Sequence, residues 1–425
     1  MNEEFLYYVW KYKIFTDINL QTSDAKEVSI LKAGIHNKNS GPDFLNAQVK
    51  IDHQLWAGNV EMHVKSSDWY LHKHEEDTNY DAVILHVVWE HDVDVFMKNN
   101  KALATLELKN FVSKELLENY NSLVYHQQKF IPCENQLTTI DEFLLNNWLE
   151  RLYFERLEHK STFIKELLLD TNADFEAVLF QLLAKNFGLK VNGEPFLQLA
   201  TSMDFSVVRK ERFDLEQLTA LFFGQAGFLE EDLEEHYHQQ LKEKYRYLKH
   251  KHKHKLNFIS KNTFQFFRMR PQNFPTIRIA QLASLLYTHQ NLFSKLMNIN
   301  KKEDFYDLFS FEVDAFWKTH FTFESDSKKS PKKLTKSFVD LIIINTIIPL
   351  KFVYLQSRGV VGENGIIQLI KQVSSEKNNI ISNFAALEIK AKNAMESQAL
   401  IQLKNNYCTK KRCLQCAIGN SLLRK

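Results

Sequence analysis

Asp43 and the alternating set Glu61, His63 and Lys65 are the residues best suited to chemistry in this chain. They stand in Gly41-Pro42-Asp43-Phe44 and in Gly58-Asn59-Val60-Glu61-Met62-His63-Val64-Lys65, two stretches that read as adjacent strands. Side chains alternate along a strand, so Glu61, His63 and Lys65 share one face while Val60, Met62 and Val64 take the other. The apolar set is free to bury, which leaves the polar set facing solvent or a cleft. Asp43, at the start of the partner strand, comes beside Glu61 if the strands pair as a tight hairpin. Two carboxylates that close repel unless a cation joins them, and oxygen ligands suit Mg2+ or Mn2+. Such an ion polarises a phosphoryl oxygen and lowers the pKa of bound water. Lys65 or His63 would then orient water or meet the phosphate. The chemistry indicated is metal-dependent phosphodiester hydrolysis. An exposed polar hairpin face with no chemistry is the plainer alternative.

Seven of the sixteen histidines lie between His36 and His91. His72 and His74 flank Lys73 in a polar stretch after Trp69, and His86 is embedded in an apolar strand. A zinc or manganese site built from His63, His72 and Glu61 would suit a zinc-dependent hydrolase. His74 could join His72 at one ion, while His86 reads equally well as a hydrogen-bonded core residue. Cys408, Cys413 and Cys416 form C-x4-C-x2-C, and Cys133 is the only other cysteine. Three close thiols and a distant fourth can complete one tetrahedral set, for zinc or for a [4Fe–4S] cluster. Reduced thiols without metal are the alternative. The run Lys249 to Lys255 alternates lysine and histidine. Lys251 and Lys253 could track a nucleic-acid backbone there, with Tyr245, Tyr247 and Phe258 as stacking partners, or the run is simply a solvated helix end.

The elements that must position these groups fall into two blocks. Helical spacing over Glu4–Phe15 is followed by strand patterns at Val28–Ala33, Phe44–Ile51, Leu55–Val64, Asp81–Trp89 and Ala102–Leu108, with Asp52-His53-Gln54 as the hairpin turn. A helix starts at Ser113. Residues 1–130 therefore read as a small α/β domain. After Pro132 the pattern is helical: Asp141–Leu169, then 174–187, 214–223, 229–247, 276–297, 335–358 and 379–404. Residues 131–425 read as a mostly α-helical domain, with Ser325–Ser337 as its main loop.

Only 11 glycines and 7 prolines in 425 residues fit long helices, and a net charge of +2 confines any nucleic-acid affinity to local patches. The acidic start Met1-Asn2-Glu3-Glu4 lacks the features of a secretory signal. The apolar stretch Val339–Leu355 is broken by Asp340, Asn345, Pro349 and Lys351, and reads as a buried helix rather than a membrane span. A cytoplasmic protein with no membrane partner is the expectation.

Pro42-Asp43 followed by Glu61-Met62-His63 resembles the signature of the PD-(D/E)XK nuclease superfamily over roughly residues 1–120. That resemblance implies a restriction-endonuclease-like fold, a metal held by Asp43 and Glu61, and a further acid from the leading helix, Glu3 or Glu4. The superfamily's lysine position is taken here by His63, with Lys65 one pair further along the same face. Some of these nucleases carry an iron–sulfur cluster on one early and three late cysteines, although with another late spacing. A non-catalytic nucleic-acid- or protein-binding chain on a degenerate nuclease fold is the alternative this substitution implies. The wider string, with Gly34-Ile35-His36-Asn37, Ser67-Asp68-Trp69, His72-Lys73-His74, Tyr80 and Leu85-His86-Val87-Val88, resembles a bacterial family built on a domain of unknown function.

Overall fold

The computed structural model describes residues 2–125, 130–257, 259–360 and 363–424. Helix α1 (Glu3–Lys11) is capped by the Asn2 side chain, which accepts the Phe5 amide at 3.3 Å. Phe5, Leu6, Val9 and Trp10 make its buried stripe. It stops four residues short of the expected Phe15, because Lys13 takes a left-handed conformation with φ of 49°.

A six-stranded sheet follows: β1 (Val28–Lys32), β2 (Ile35–His36), β3 (Phe44–Ile51), β4 (Gln54–Lys65), β5 (Val83–Glu90) and β6 (Thr105–Glu107). Its order is β1-β3-β4-β5-β6, with β2 also on β3. The pairs β1/β3 and β3/β4 are antiparallel, whereas β4/β5 and β5/β6 are parallel. The β3/β4 turn needs only Asp52 and His53, since Ile51 already pairs with Gln54. A parallel step needs a crossover. Between β4 and β5 it contains the short helix α2 (Asp68–Leu71) and the His72-Lys73-His74 stretch. Helix α3 (Lys114–Tyr125) closes this block.

The chain divides into two compact units. One holds residues 1–148, 386–388 and 403–425; the other holds 149–385 and 389–402. The cysteine-bearing tail thus belongs to the sheet-bearing unit, where it meets the helices Glu3–Lys11 and Lys114–Tyr125, and not to the helical block where a linear division at residue 131 leaves it. An N-terminal mixed sheet region followed by a mostly helical region agrees with the expected α/β-then-α architecture.

The helical unit follows the expected periodicity where Asp residues cap: Asp174 before Phe175–Phe187 and Asp214 before Leu215–Gln225. Three expected segments are cut. Residues 229–235 are not helical, the helix starting at His236 with Glu235 as its cap. Pro275–Thr288 and Leu292–Asn298 are separate, as are Asn379–Ala386 and Ala394–Gln402. The expected loop after Ser325 includes Lys332, which is buried with its Nζ 3.4 Å from the Phe321 ring centroid. The helical run Lys336–Ser357 is long and apolar enough to cross a membrane, but 72% of its most apolar window is buried inside the protein. It serves as a core helix.

Candidate metal centre

The hairpin holds its two acids face to face. Phe44 pairs with Val60, the Asp43 amide donates to Glu61 Oε2 at 3.1 Å, and the Met62 amide donates to Asp43 Oδ2 at 3.0 Å. Each strand therefore fixes the other's carboxylate with a backbone N–H. The face is no exposed surface: Glu61 is 5% and His63 1% exposed. Burial raises both carboxyl groups well above the usual range, and repulsion from Glu61 raises Asp43 further. Among the described residues no lysine or arginine pairs with either.

Helix α1 adds two groups. Glu3 and Tyr7 lie one turn apart on one helix face, and the Tyr7 hydroxyl is 3.4 Å from Glu3 Oε2 and hydrogen-bonds Asp43. Burial first, then the Asp43 charge, pushes the Tyr7 phenol far above its ordinary value. The acid contributed by the leading helix is Glu3; Glu4 is exposed on another face, nearer Tyr120. The sequence signal for Tyr7 was its i+4 spacing from Glu3, which the apolar stripe through Tyr8 obscures.

Four imidazoles complete the site. His63 Nδ1 lies 2.8 Å from His86 Nε2, and His63 Nε2 lies 3.1 Å from His72 Nδ1. Glu61 Oε1 is 3.3 Å from His74 Nε2 and 3.6 Å from His63 Nε2. The crossover delivers His72 and His74 because Lys73, at φ 59°, turns the chain where α2 ends. Tyr80 stacks on His74 at 3.8 Å and Trp69 meets it edge-on at 5.4 Å, which fixes the ring. Burial, then the neighbouring histidines, lowers His63 to about 2 and His86 to about 3. Both rings therefore favour the neutral form, unlike a lysine at this position.

A divalent cation fits this donor set. Ligand nitrogens of His63, His72 and His74 all lie within 4.8 Å of one another, with Glu61 Oε1 beside them. Among the described residues, buried His74 Nδ1 has no hydrogen-bond partner, an arrangement that costs stability unless something else engages the ring. Three imidazoles and a carboxylate suit zinc, manganese or ferrous iron better than magnesium, which prefers oxygen. His86 is then the group that holds the His63 tautomer rather than a ligand.

The other sequence candidates are distributed elsewhere. Lys65 is exposed at the end of β4, and its amide donates to Asp68 Oδ2. His36 stacks on Phe44 at 5.0 Å and lies 5.3 Å from Tyr7, flanking the acids without bonding them. Lys251 and His252 both pair with the buried Glu211, at 2.8 and 2.7 Å, while Lys253 is exposed. Tyr245 cannot stack on a base, because its ring is buried against Gly224; Tyr247 is exposed and Phe258 lies outside the described residues. Cys133, Cys408, Cys413 and Cys416 all line one cavity.

Searches against curated proteins and against solved structures give no match. A family model described as a protein of unknown function, DUF2851, matches residues 3–379, nearly the whole of this chain and all of the site just described. The chain belongs to that family, DUF2851.

Proposed function

We propose that this protein is a metal-dependent hydrolase that cleaves phosphodiester bonds in DNA or RNA, on a restriction-endonuclease-like sheet. The observation that carries the reading is the buried Asp43–Glu61 pair, which no lysine or arginine among the described residues pairs with, set against a cluster of histidines. Asp43, Glu61, His63, His72 and His74 would hold the ion. When bound, the ion supplies a low-pKa water and a polarised phosphoryl oxygen. Glu61 and Asp43 then stay ionised despite their burial, and His86 keeps the His63 ring oriented. Tyr7, hydrogen-bonded to Asp43, would hold that carboxylate in place at the edge of the site. The sheet adds support: a leading helix, an antiparallel hairpin that brings the acids together, and parallel strands after it resemble the nuclease superfamily's core.

The test is cleavage of DNA and RNA panels with Mg2+, Mn2+, Zn2+ or Fe2+ by the intact chain and by Asp43→Ala, Glu61→Ala and His72→Ala. Metal-dependent cleavage lost in all three supports the reading. Binding of nucleic acid without cleavage, unchanged in the variants, replaces it with a binding protein on a degenerate nuclease fold. Hydrolysis of other esters, but of no nucleic acid, keeps the metal centre and removes the substrate assignment.

A further inference from the structure

The helical unit holds a cavity of about 400 Å3, a volume in the range that takes small organic ligands. It opens between the later turns of helix Glu142–Asp170, the helices Phe175–Phe187 and Leu189–Thr201, and the run Lys336–Ser357. Phe163 and Leu182 give it apolar walls, and Lys160, Lys185 and Lys190 line it against a single acid, Glu194. That acid is already engaged. Lys185 Nζ lies 2.7 Å from Glu194 Oε1 and 4.3 Å from the Phe163 ring centroid. Nothing else in the lining offsets the charge of Lys160 and of the exposed Lys190.

Lys160 is held in place by an irregularity in the run that faces it. Residues Ile343–Ile347 wind as a π-helix, with the Ile348 amide donating to the Ile343 carbonyl. The next donor in that pattern would be residue 349, a proline with no N–H, so the pattern cannot serve the Ile344 carbonyl. Lys160 Nζ donates to that oxygen at 3.3 Å, to Asn345 Oδ1 at 2.9 Å and to Gln398 Oε1 at 2.8 Å. None of these acceptors is charged. Arg156, one turn earlier on the same helix, shares Gln398 Oε1 at 2.7 Å, and the one acid that acts on both cations is Glu376. A buried cation without its full counter-charge is costly, and low-dielectric walls focus its field into the opening. Burial, then the Arg156 charge, lowers Lys160 to about 7; an anion in the cavity would favour its charged form.

We propose that this cavity binds a small phosphate monoester, its phosphate drawn to Lys160 and Lys190 and its organic part lying against Phe163 and Leu182. Lysines meet a phosphate as point charges, whereas a planar carboxylate favours an arginine fork, and no arginine is among the described residues lining the cavity.

The test is calorimetry on the full chain in EDTA, which keeps the histidine site free of metal, with phenyl phosphate, adenosine monophosphate, inorganic phosphate and benzoate as probes. At least one of the two esters is expected to bind once per chain, more tightly than inorganic phosphate or benzoate. Its affinity should fall at least ~10-fold in Lys160→Met and about 5-fold or more in Lys190→Glu, and stay unchanged in His72→Ala. Because Lys190 is exposed, Lys190→Glu decides alone should Lys160→Met fail to fold. Absence of ester binding at ~10 mM, or binding that survives the lysine changes, overturns the proposal. Benzoate binding more tightly than phenyl phosphate overturns the phosphate assignment. The outcome is independent of whether the histidine site cleaves nucleic acid.

Discussion

His63 decides which metal the hairpin suits. A lysine there would bring a charge to the carboxylates; an imidazole lowered to about 2 brings a neutral nitrogen donor instead. Its orientation rests on His86, so His86→Asn is expected to weaken Zn2+ or Mn2+ binding by roughly 10- to 100-fold, read by calorimetry. Glu61→Ala is expected to remove the binding altogether. The pH dependence follows from the same groups. Asp43 and Glu61 have raised folded pKa values, so without metal the folded state holds more protons than the unfolded one, and stability falls as pH rises through those values. His63 and His86 have lowered values, so they remove stability as pH falls below 6.5. Thermal melts should therefore weaken from pH 6.5 to the alkaline side in the metal-free protein. The melting-temperature gain from added Mn2+ should grow over that range; a gain independent of pH would show that these carboxylates are not ligands.

At the scale of elements, the site depends on how closely β4 and β5 approach. A Cβ at Gly58 would lie 2.4 Å from Ile84 Cγ2 and 2.6 Å from the Ala82 carbonyl oxygen. Gly58→Ala should cost ~1–3 kcal/mol by overpacking, measured by denaturant melts. In the helical unit, Gly224→Ala meets the Tyr245 ring at 2.1 Å and should cost a similar ~1–3 kcal/mol. The hairpin was legible in the sequence because a period of two and a short polar turn are local signals, but the register shift between Phe44 and Ala47, with Asn46 at φ 58°, is what brings Asp43 opposite Glu61, and neither signal encodes it. The histidine cluster was legible as a candidate set, His63, His72 and His74 with Glu61, but not as a geometry. Its geometry depends on a parallel pairing, Glu61 opposite His86, and on the left-handed turn at Lys73, neither of which periodicity encodes. The same limit applies to Lys251: alternating charge reads as a solvated run until the fold sets the buried Glu211 against it.

For the whole molecule, the sheet-bearing unit is discontinuous: residues 403–425 belong with residues 1–148. Removing the tail should leave the amides of α1 at least ~10-fold less protected from hydrogen exchange, about 1.4 kcal/mol. Helix Phe175–Phe187, in the other unit, should keep its protection, and equal loss in both would mean the chain unfolds as one. The same discontinuity bears on synthesis. At ~5–20 residues per second a ribosome needs roughly 20–80 seconds to travel from α1 to the tail that braces it. During that interval the Tyr8 and Tyr12 side of α1 lacks Arg424 and the cysteine-bearing segment. The nascent sheet thus emerges first and is finished last, a period in which a chaperone has something apolar to hold.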